Sequence, residues 1–373
     1  MYSRLTKFTF CFSLLLCISW LPAFPQIDIV GRVVAETGDT PLPDASVYFN
    51  NTTIGTYTNE QGNFFFRALR LPGTELVVFC PGYELLVFKP IAGQVDGKRL
   101  VLKLHKNEPL ADSMVGIDVT RKRLMSIFKE IFLGFTEEAS KATIINENDI
   151  HFKPWEGKTS FAAYTDTPLV IINTMLGYKI SYNLVTFWYD NASGQSNYSG
   201  YARYEESEDT KKWIKNRQHA YYGSTLHFYR SLISNKLYEQ GYGTFLLEPV
   251  KKNTSASVPI VGIKALTGDS MTVVPITAPE ILYIDSTNNF SIRLTGRLLV
   301  QYNKDPYPKK FLSTQFILPG NIGKGVETYL VFNRPSIGIN NAGVLSDAEE
   351  VSYSGCWLFE KFANKLPYDY APN

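Results

Sequence analysis

The chain has 373 residues, which is enough for about two domains at ~150 residues each. Hydrophobic residues make up 45% and charged residues 19%, a composition typical of a globular protein, so a mostly disordered chain is excluded. The formal net charge is only +2 and no long basic stripe is present, so we expect no nucleic-acid partner.

Aromatic residues are frequent, with 23 Tyr, 24 Phe and 5 Trp. Aromatic side chains favour β-strands, because they pack well on a half-buried pleated surface. We therefore predict a mainly β fold.

Residues 1–25 are predicted to be a signal peptide. Arg4 and Lys7 precede an apolar run from Phe8 to Leu21, and Pro22 and Pro25 close that run. The run is shorter than the ~20 residues that a membrane-spanning helix needs, so a retained anchor is the less favoured alternative. The protein is therefore expected to be exported to the periplasm, outer membrane or cell surface, and removal of the signal would leave a formally neutral chain.

Residues 26–106 alternate short β-type runs with turn residues, as a small antiparallel sandwich does. Strands are predicted at 29–34, 45–49, 56–58, 64–66, 76–80, 84–88 and 99–104. Thr56–Thr58 and Phe64–Phe66 flank a turn in which Gly62 can take a positive φ, so we predict that these two strands form a hairpin. Alternation places Val33, Ala45, Val47 and Phe64 in one core.

This stretch resembles the carboxypeptidase regulatory-like domain, a transthyretin-like, seven-stranded β-sandwich. The matching pattern is Gly31-x-Val33, Pro41-Leu42-x-x-Ala45-x-Val47, Gly55-Thr56-x-Thr58-Asn59-x-x-Gly62-x-Phe64 and Pro81-Gly82-Tyr83. The resemblance implies a non-catalytic module of the kind found beside peptidase domains or at the front of TonB-dependent outer-membrane importers. The roughly 260 residues that follow are too few for the plug and large barrel of such an importer.

Residues 107–158 are predicted to be a helical linker. The helix is expected within Asp118–Gly134, because Leu124, Phe128 and Phe132 recur at helical spacing and Gly134 closes the pattern. Its basic start, Arg121-Lys122-Arg123, is interpreted as a solvated face, with a membrane contact as the alternative.

Residues 159–373 are predicted to be an α+β domain with a mostly antiparallel sheet. Strands are expected at 169–173, 179–190, 198–204, 281–285, 290–302, 313–318 and 327–333. One helix is predicted from the N-cap Ser224 to Gln240, ended by Gly241, and another over Leu358–Leu366.

Three phrases in this region, together with the front module, resemble an exported bacterial family of unknown function from envelope-rich Gram-negative species. They are Pro168-Leu169-x-Ile171-x-Asn173-x-x-Leu176-Gly177-Tyr178, Tyr222-Gly223-Ser224-x-x-His227-Phe228-x-Arg230 and Leu366-Pro367-x-Asp369-Tyr370. The resemblance supplies no activity.

The motifs for catalysis and cofactors give little support to an enzyme. His105-Lys106-Asn107-Glu108 spells His-x-x-Glu, with His219 further on, but this short pattern lies where the sandwich ends, so zinc catalysis is rejected. No Gly-x-Ser-x-Gly elbow occurs, and Gly320–Gly325 lacks phosphate-loop spacing, so a hairpin turn is the better interpretation. We therefore predict no catalytic residue, no metal and no cofactor.

The densest polar and aromatic cluster gives the candidate ligand or partner site. Stacking planes alternate there with hydrogen-bond donors, as a glycan, peptide or carboxylate site requires, although the same side chains could instead share a helix face and bond nearby carbonyls. The cluster comprises Trp213, Arg217, His219, Tyr221, Tyr222, His227 and Arg230.

Two cysteines remain after signal removal. Cys80 lies in an apolar strand and is expected to be a buried thiol, whereas a Cys80–Cys356 disulfide is the less favoured alternative because the two lie in different predicted domains.

The leading hypothesis is a non-catalytic exported envelope protein, in which the sandwich is a docking or spacing module and the second domain binds a partner or ligand. The expected partner is an outer-membrane or cell-surface protein complex, or a glycan or peptide ligand. The alternatives are a hydrolase with an unrecognised site around His219 and His227, and a purely structural surface protein.

Overall fold

The computed structural model describes residues 26–107, 120–155, 160–207, 210–249, 271–286, 289–294, 296–304 and 326–372. The predicted signal peptide, the predicted strand at 313–318 and the Gly-rich turn at 320–325 lie outside these ranges.

The N-terminal module is a β-sandwich of two sheets. One sheet has the strand order β4-β1-β7, with β7 parallel to β1, and the other has the antiparallel order β3-β2-β5-β6. Its elements are β1 (Ile27–Ala35), β2 (Ser46–Phe49), β3 (Gly55–Tyr57), β4 (Asn63–Ala68), β5 (Leu76–Phe79), β6 (Leu86–Phe88), the short helix α1 (Ala92–Val95) and β7 (Arg99–Leu104).

Period-two alternation builds the core of this sandwich. Along β4, Phe64, Phe66 and Ala68 are buried, whereas Phe65 and Arg67 are exposed. The predicted inward residues Val33, Ala45, Val47 and Phe64 all belong to one hydrophobic cluster. The mainly β fold and the sandwich are thus confirmed.

The predicted hairpin of β3 and β4 is wrong. The turn itself forms as expected, with Gly62 at a φ of 73° and its N–H donating to the Asn59 carbonyl at 2.8 Å. However, Thr58 Oγ1 accepts from the Ala45 N–H at 2.9 Å, which holds β3 against β2, whereas the Val33 N–H donates to the Gly62 carbonyl at 2.8 Å and aligns β4 with β1. The turn therefore carries the chain from one sheet to the other.

The elements from residue 120 onward form two further sheet layers and a small third sheet. The helices are α2 (Arg121–Phe132), α3 (Glu137–Ser140), α4 (Ile214–Tyr221), α5 (Thr225–Ile233), α6 (Leu237–Gln240) and α7 (Ala278–Ile281). The strands are β8 (Ala142–Ile144), β9 (His151–Pro154), β10 (Phe161–Tyr164), β11 (Leu169–Asn173), β12 (Tyr178–Tyr189), β13 (Ser196–Glu206), β14 (Tyr242–Pro249), β15 (Met271–Pro275), β16 (Leu282–Ile284), β17 (Phe290–Ile292), β18 (Arg297–Tyr302), β19 (Val326–Phe332), β20 (Ile337–Ile339) and β21 (Val351–Gly355).

The first layer is an antiparallel sheet of the order β8-β11-β12-β10-β9, with β13 paired along β12. Leu124, Phe128 and Phe132 of α2 are buried in its core, as the helical spacing predicts. Residues 121–154, which the sequence assigns to a linker, thus supply the helix and two strands of this layer.

The second layer has the order β15-β14-β18-β19-β21, and a small sheet has the order β16-β17-β20. Helix α5 packs with them in a separate hydrophobic cluster, through Phe228, Tyr229 and Leu232. All pairings among the described strands of β8–β21 are antiparallel, which confirms the α+β prediction. No helix in the described ranges is both long and apolar enough to cross a membrane.

The predicted helix from Ser224 to Gln240 is wrong in its middle. Ser224 is the N-cap, with its hydroxyl accepting from the His227 N–H at 3.2 Å, and Gly241 ends α6 in the left-handed conformation. Between α5 and α6, however, Asn235 takes a φ of 53°. The Ser231 and Ser234 hydroxyls bond back to helix carbonyls at 2.7 Å, a competition that weakens the helix there.

The predicted helix over Leu358–Leu366 is replaced by two 3₁₀ turns, Cys356–Phe359 and Phe362–Asn364. Trp357 is buried in the cluster of the second layer, whereas Phe362 is buried in that of the first. One continuous helix would keep its apolar side chains on one face, so the chain breaks to reach both cores. The predicted strand at 290–302 is likewise two strands, β17 and β18, and the one at 281–285 is only β16.

Candidate functional site

The seven side chains of the candidate cluster lie on one helical stretch. Trp213 ends the 3₁₀ turn Thr210–Trp213, and α4 and α5 follow with Tyr222 between them. Ring contacts bring four of them together, Tyr221, Tyr222, His227 and Arg230, whereas Trp213 and Arg217 contact the turn between β11 and β12.

Arg217 is buried and binds backbone carbonyls. Its Nε donates to the Leu176 carbonyl at 2.7 Å and its Nη2 to the Gly177 carbonyl at 3.2 Å, while Nη1 contacts Glu206 Oε1 at 2.7 Å. The guanidinium carbon lies 3.9 Å from the centroid of the Tyr178 ring. Arg217 thus holds the turn between β11 and β12 against α4.

Trp213 covers the same turn. Its Nε1 donates to the Thr174 carbonyl at 3.0 Å, and Gly177 lies so close that an added Cβ would be 2.1 Å from the indole. Gly177 also takes a φ of 70°, which a glycine adopts without strain. The indole and this glycine fit together as packing.

His227 is buried, with both ring nitrogens in hydrogen bonds. Nδ1 accepts from the Gly223 N–H at 3.1 Å and lies 2.9 Å from the Tyr242 hydroxyl, while Nε2 lies 3.1 Å from Gln240 Oε1. Because Nδ1 accepts from a backbone N–H, the proton is on Nε2, which donates to Gln240. Burial lowers the pKa of His227 from its ordinary value, so the imidazole is neutral at pH 7.

His219 is exposed on α4 and makes no hydrogen bond or ion pair to any described residue. The described side chains also bring no Ser or Cys nucleophile into a hydrogen bond with either His219 or the His227 ring. The two histidines of the hydrolase alternative thus differ in surroundings: one faces solvent, and the other holds α5, α6 and β14 together.

Arg230 binds three carbonyl groups. Its Nε donates to Ala342 at 3.0 Å, Nη1 to Tyr370 at 2.6 Å and Nη2 to Tyr368 at 2.7 Å. Its guanidinium also lies 5.7 Å from the centroid of the Tyr221 ring. Arg230 therefore fastens the segment around residues 368–370 to α5.

The two tyrosines at the end of α4 differ in exposure. Tyr221 is buried, with its ring 5.0 Å from that of His227 and 5.7 Å from that of Tyr370. Tyr222 is 43% exposed and packs edge-on against His227. Of the seven residues, Tyr222 and His219 are the two that are exposed.

The residues of the rejected zinc pattern are also placed. His105 Nδ1 lies 2.8 Å from Glu36 Oε2 on the surface of the sandwich, and Glu108 lies outside the described residues. The part of the chain that the structure describes holds no group of three or more His, Cys, Asp or Glu residues arranged for a metal ion. Cys80 and Cys356 are both buried, in different hydrophobic clusters, and no disulfide joins them.

The loop after β2 docks the sandwich onto β13. The Asn51 N–H donates to the Ala202 carbonyl at 2.7 Å, and the Tyr204 N–H donates to the Thr52 carbonyl at 3.0 Å. Thr52 and Arg203 thereby form a parallel β-bridge. The two parts of the chain share backbone hydrogen bonds, which a loose linker would not give.

Arg203 reinforces this interface from a buried position. Its Nη1 donates to Ser46 Oγ at 2.8 Å, and its guanidinium lies 3.9 Å from the centroid of the Tyr57 ring. Its Nη2 lies 3.4 Å from Glu205 Oε1. Nothing in the local sequence of β13 marks Arg203 for this contact, because its partners lie about 150 positions earlier in the chain.

The C-terminal segment closes the same interface. The Asp369 carboxylate accepts from the Thr53 N–H at 3.0 Å and from the Thr53 hydroxyl, and the Tyr368 N–H donates to the Asn51 carbonyl at 2.6 Å. Asn340 Nδ2 also donates to the Pro72 carbonyl at 3.1 Å. The phrase Leu366-Pro367-x-Asp369-Tyr370 was the sequence signal that could have indicated this role.

A cleft of about 930 Å³ lies between the sandwich and the second region, by which we mean the described residues from 120 onward. The sandwich contributes the end of β4 and the residues after it. The second region contributes α5, Phe290 and the segment 368–372. Tyr221 and Arg230 of the candidate cluster line this cleft. The cleft is open to solvent, and we name it the junction cleft.

Comparison with protein families identifies the front of the chain. Residues 29–115 match the family model described as CarboxypepD_reg-like domain, so the predicted module is present. A crystal structure from Bacteroides fragilis NCTC 9343, of a protein described as membrane-associated and of unknown function, is 10% identical; the match covers 88% of this chain and 93% of that chain, with a TM-score of 0.17. A comparison with curated proteins gives no match.

Proposed function

We propose that this protein is a non-catalytic, exported cell-envelope protein that binds a partner or a ligand, a glycan or a peptide, in the junction cleft. The observation that carries the proposal is the cleft itself. Its volume of about 930 Å³ lies at the upper end of the range of ligand sites, ~300–1,000 Å³. Its walls come from both the sandwich and the second region, so the docked module shapes the binding surface.

Other observations support a binding role over a hydrolytic one. The polar atoms of three cluster residues form hydrogen bonds within the protein that stabilise the fold; these residues are Arg217, His227 and Arg230. The exposed leucine Leu69, 71% accessible, borders the cleft, and exposed apolar groups beside a concave surface are typical of binding sites.

Site-directed crosslinking in the native envelope tests this function. A photoreactive amino acid is placed at Leu69 in the tagged full-length protein, and a matched variant carries it at Tyr238, which is 92% exposed and does not line the cleft. We expect a defined crosslinked species from position 69 alone. Equal crosslinking from both positions, or none from position 69, would contradict the proposal.

The same preparation tests export and the absence of catalysis. Mass spectrometry of the mature N-terminus is expected to show a start near Gln26, whereas an intact Met1 would contradict cleavage of a signal. Turnover of peptide or glycan substrates by the purified protein, with loss of that turnover in His219→Ala and His227→Ala, would replace the binding role with a hydrolase.

A further inference from the structure

We propose that the ligand of the junction cleft is an extended polypeptide segment that carries carboxylates beside apolar side chains. This inference rests on the proposed function and deepens it, since it commits to one class of ligand. The cleft presents a positive charge, an apolar surface and a strand edge.

The charge of the cleft is positive. Its charged lining residues are Arg67, Arg70, Arg230 and Asp369, a formal charge of +2. The chain without its predicted signal is formally neutral, so this local excess of cations is a property of the cleft and not of the whole surface. Clefts lined by one sign of charge raise the local concentration of ligands of the opposite sign.

The charged groups differ in their availability to a ligand. Asp369 is engaged by Thr53, and Arg230 by three carbonyls. Arg67 forms an exposed ion pair with Asp28 at 2.8 Å. Arg70 is exposed and has no hydrogen bond or ion pair among the described residues, so its five N–H donors can bind a carboxylate in the bidentate geometry that arginine favours.

Apolar surface lies directly beside this cation. Leu69, next to Arg70 in the chain, is 71% exposed, and Ile54, Ile233 and Phe290 in the cleft wall are only partly buried. A ligand with an acidic group alone would leave this surface in water. A segment with alternating acidic and apolar side chains would cover both.

The position of β4 favours polypeptide over a sugar chain. β4 is the edge strand of the β4-β1-β7 sheet, and its last residues, Arg67 and Ala68, border the cleft. An edge strand presents backbone N–H and C=O groups to which an extended peptide can add by main-chain hydrogen bonds. The openness of the cleft lets such a segment continue into a longer chain.

Binding of labelled peptides to the purified mature protein tests the inference. Fluorescence anisotropy is measured with a short peptide of alternating Glu and Leu, with its Lys and Leu counterpart, and with a labelled oligogalacturonate as an anionic glycan. We expect the Glu/Leu peptide to bind and Arg70→Glu to weaken its binding by about tenfold or more. Arg99→Glu is the matched control, because Arg99 is an exposed arginine of the same sandwich outside the cleft, and it should bind like the parent.

Each other outcome overturns the inference. Equal binding of the Lys/Leu peptide, or unchanged binding in Arg70→Glu, removes the role of charge. Tighter binding of the oligogalacturonate, lost in Arg70→Glu, makes the ligand a glycan and leaves the proposed function intact. If none of the three probes binds but position 69 still gives a specific crosslink in the envelope, the ligand is not an acidic peptide and the proposed function stands. If neither probe binding nor specific crosslinking is found, the proposed function is contradicted as well.

Discussion

Two arginines of this protein, one buried and one partly buried, bind backbone carbonyls of several segments. Arg217 and Arg230 each direct several guanidinium N–H groups at carbonyls of chain segments that contain no regular structure of their own. Arginine suits this role because its planar head offers five donors in a fixed geometry. A carbonyl that loses such a donor inside the protein would be left unsatisfied, at a cost of about 1–3 kcal/mol.

The neutral state of His227 predicts a pH dependence of stability. The unfolded chain takes up a proton on this residue near its ordinary pKa of about 6.5, whereas burial lowers the pKa in the folded state. The unfolded state therefore binds more protons below about pH 6.5, and the free energy of unfolding falls as the pH decreases through that range. We expect His227→Gln to reduce this slope in urea unfolding measured between pH 7 and 5.

The exposed His219 on the neighbouring helix is the control for this measurement. His219→Gln should keep the slope of the parent protein, because His219 is exposed and makes no hydrogen bond or ion pair to any described residue. A slope in His227→Gln equal to that of the parent would show that His227 does not carry the effect.

Helical stretches in the second region break where a straight helix would not bury the next apolar side chain. α5 gives way to α6 at Asn235, and the left-handed residue there redirects the chain so that Leu237 is buried in the same cluster as Phe228 and Leu232. The 3₁₀ turns around residues 356–364 differ, because Trp357 and Phe362 lie in two different clusters. The second break lets one short stretch contribute to two layers.

The backbone at Asn235 predicts the effect of two substitutions. Asn235→Val should destabilise the protein by about 1–2 kcal/mol, because a β-branched side chain resists the left-handed conformation. Asn235→Gly should lie within about 0.5 kcal/mol of the parent, since glycine adopts a φ of 53° freely. Thermal unfolding of both variants checks this, and equal stability of the two would contradict the strain argument.

The sequence predicts those elements that local pattern controls. The bounds of β7 and β11 agree with the expected ones residue for residue, and both Ser224 and Gly241 cap helices as expected. The hairpin of β3 and β4 fails because turn chemistry specifies a turn but not which strand lies beside it. The junction cleft could not be foreseen for the same reason, since Leu69, Phe290 and Tyr370 come together only through tertiary contacts.

At the scale of the whole molecule, the sandwich is fixed to the second region. The β-bridge of Thr52 with Arg203, the buried Arg203 side chain and the Asp369 carboxylate hold the two together. The geometry of the junction cleft depends on this attachment, because one wall belongs to the sandwich. We expect loss of the attachment to remove the cleft.

Replacement of Arg203 tests this attachment. Arg203→Met removes the hydrogen bond to Ser46 and the stacking on Tyr57, and should weaken the interface by about 2 kcal/mol. We expect calorimetry to show one unfolding transition in the parent and separated transitions in the variant. Arg67→Met, at an exposed arginine of the same sandwich, should keep the single transition, and a parent protein with two transitions would contradict the prediction.

The contact between Thr53 and Asp369 joins residues 316 positions apart. Bringing such distant residues together carries a large loop-closure entropy, so contacts of this separation form late in folding. The five tryptophans of the chain all lie outside residues 26–106, so tryptophan fluorescence does not report folding of the sandwich itself. In a refolding experiment, the sandwich would therefore fold without a fluorescence change of its own. The slow phase of tryptophan fluorescence would report the second region as it packs against a sandwich that has already folded.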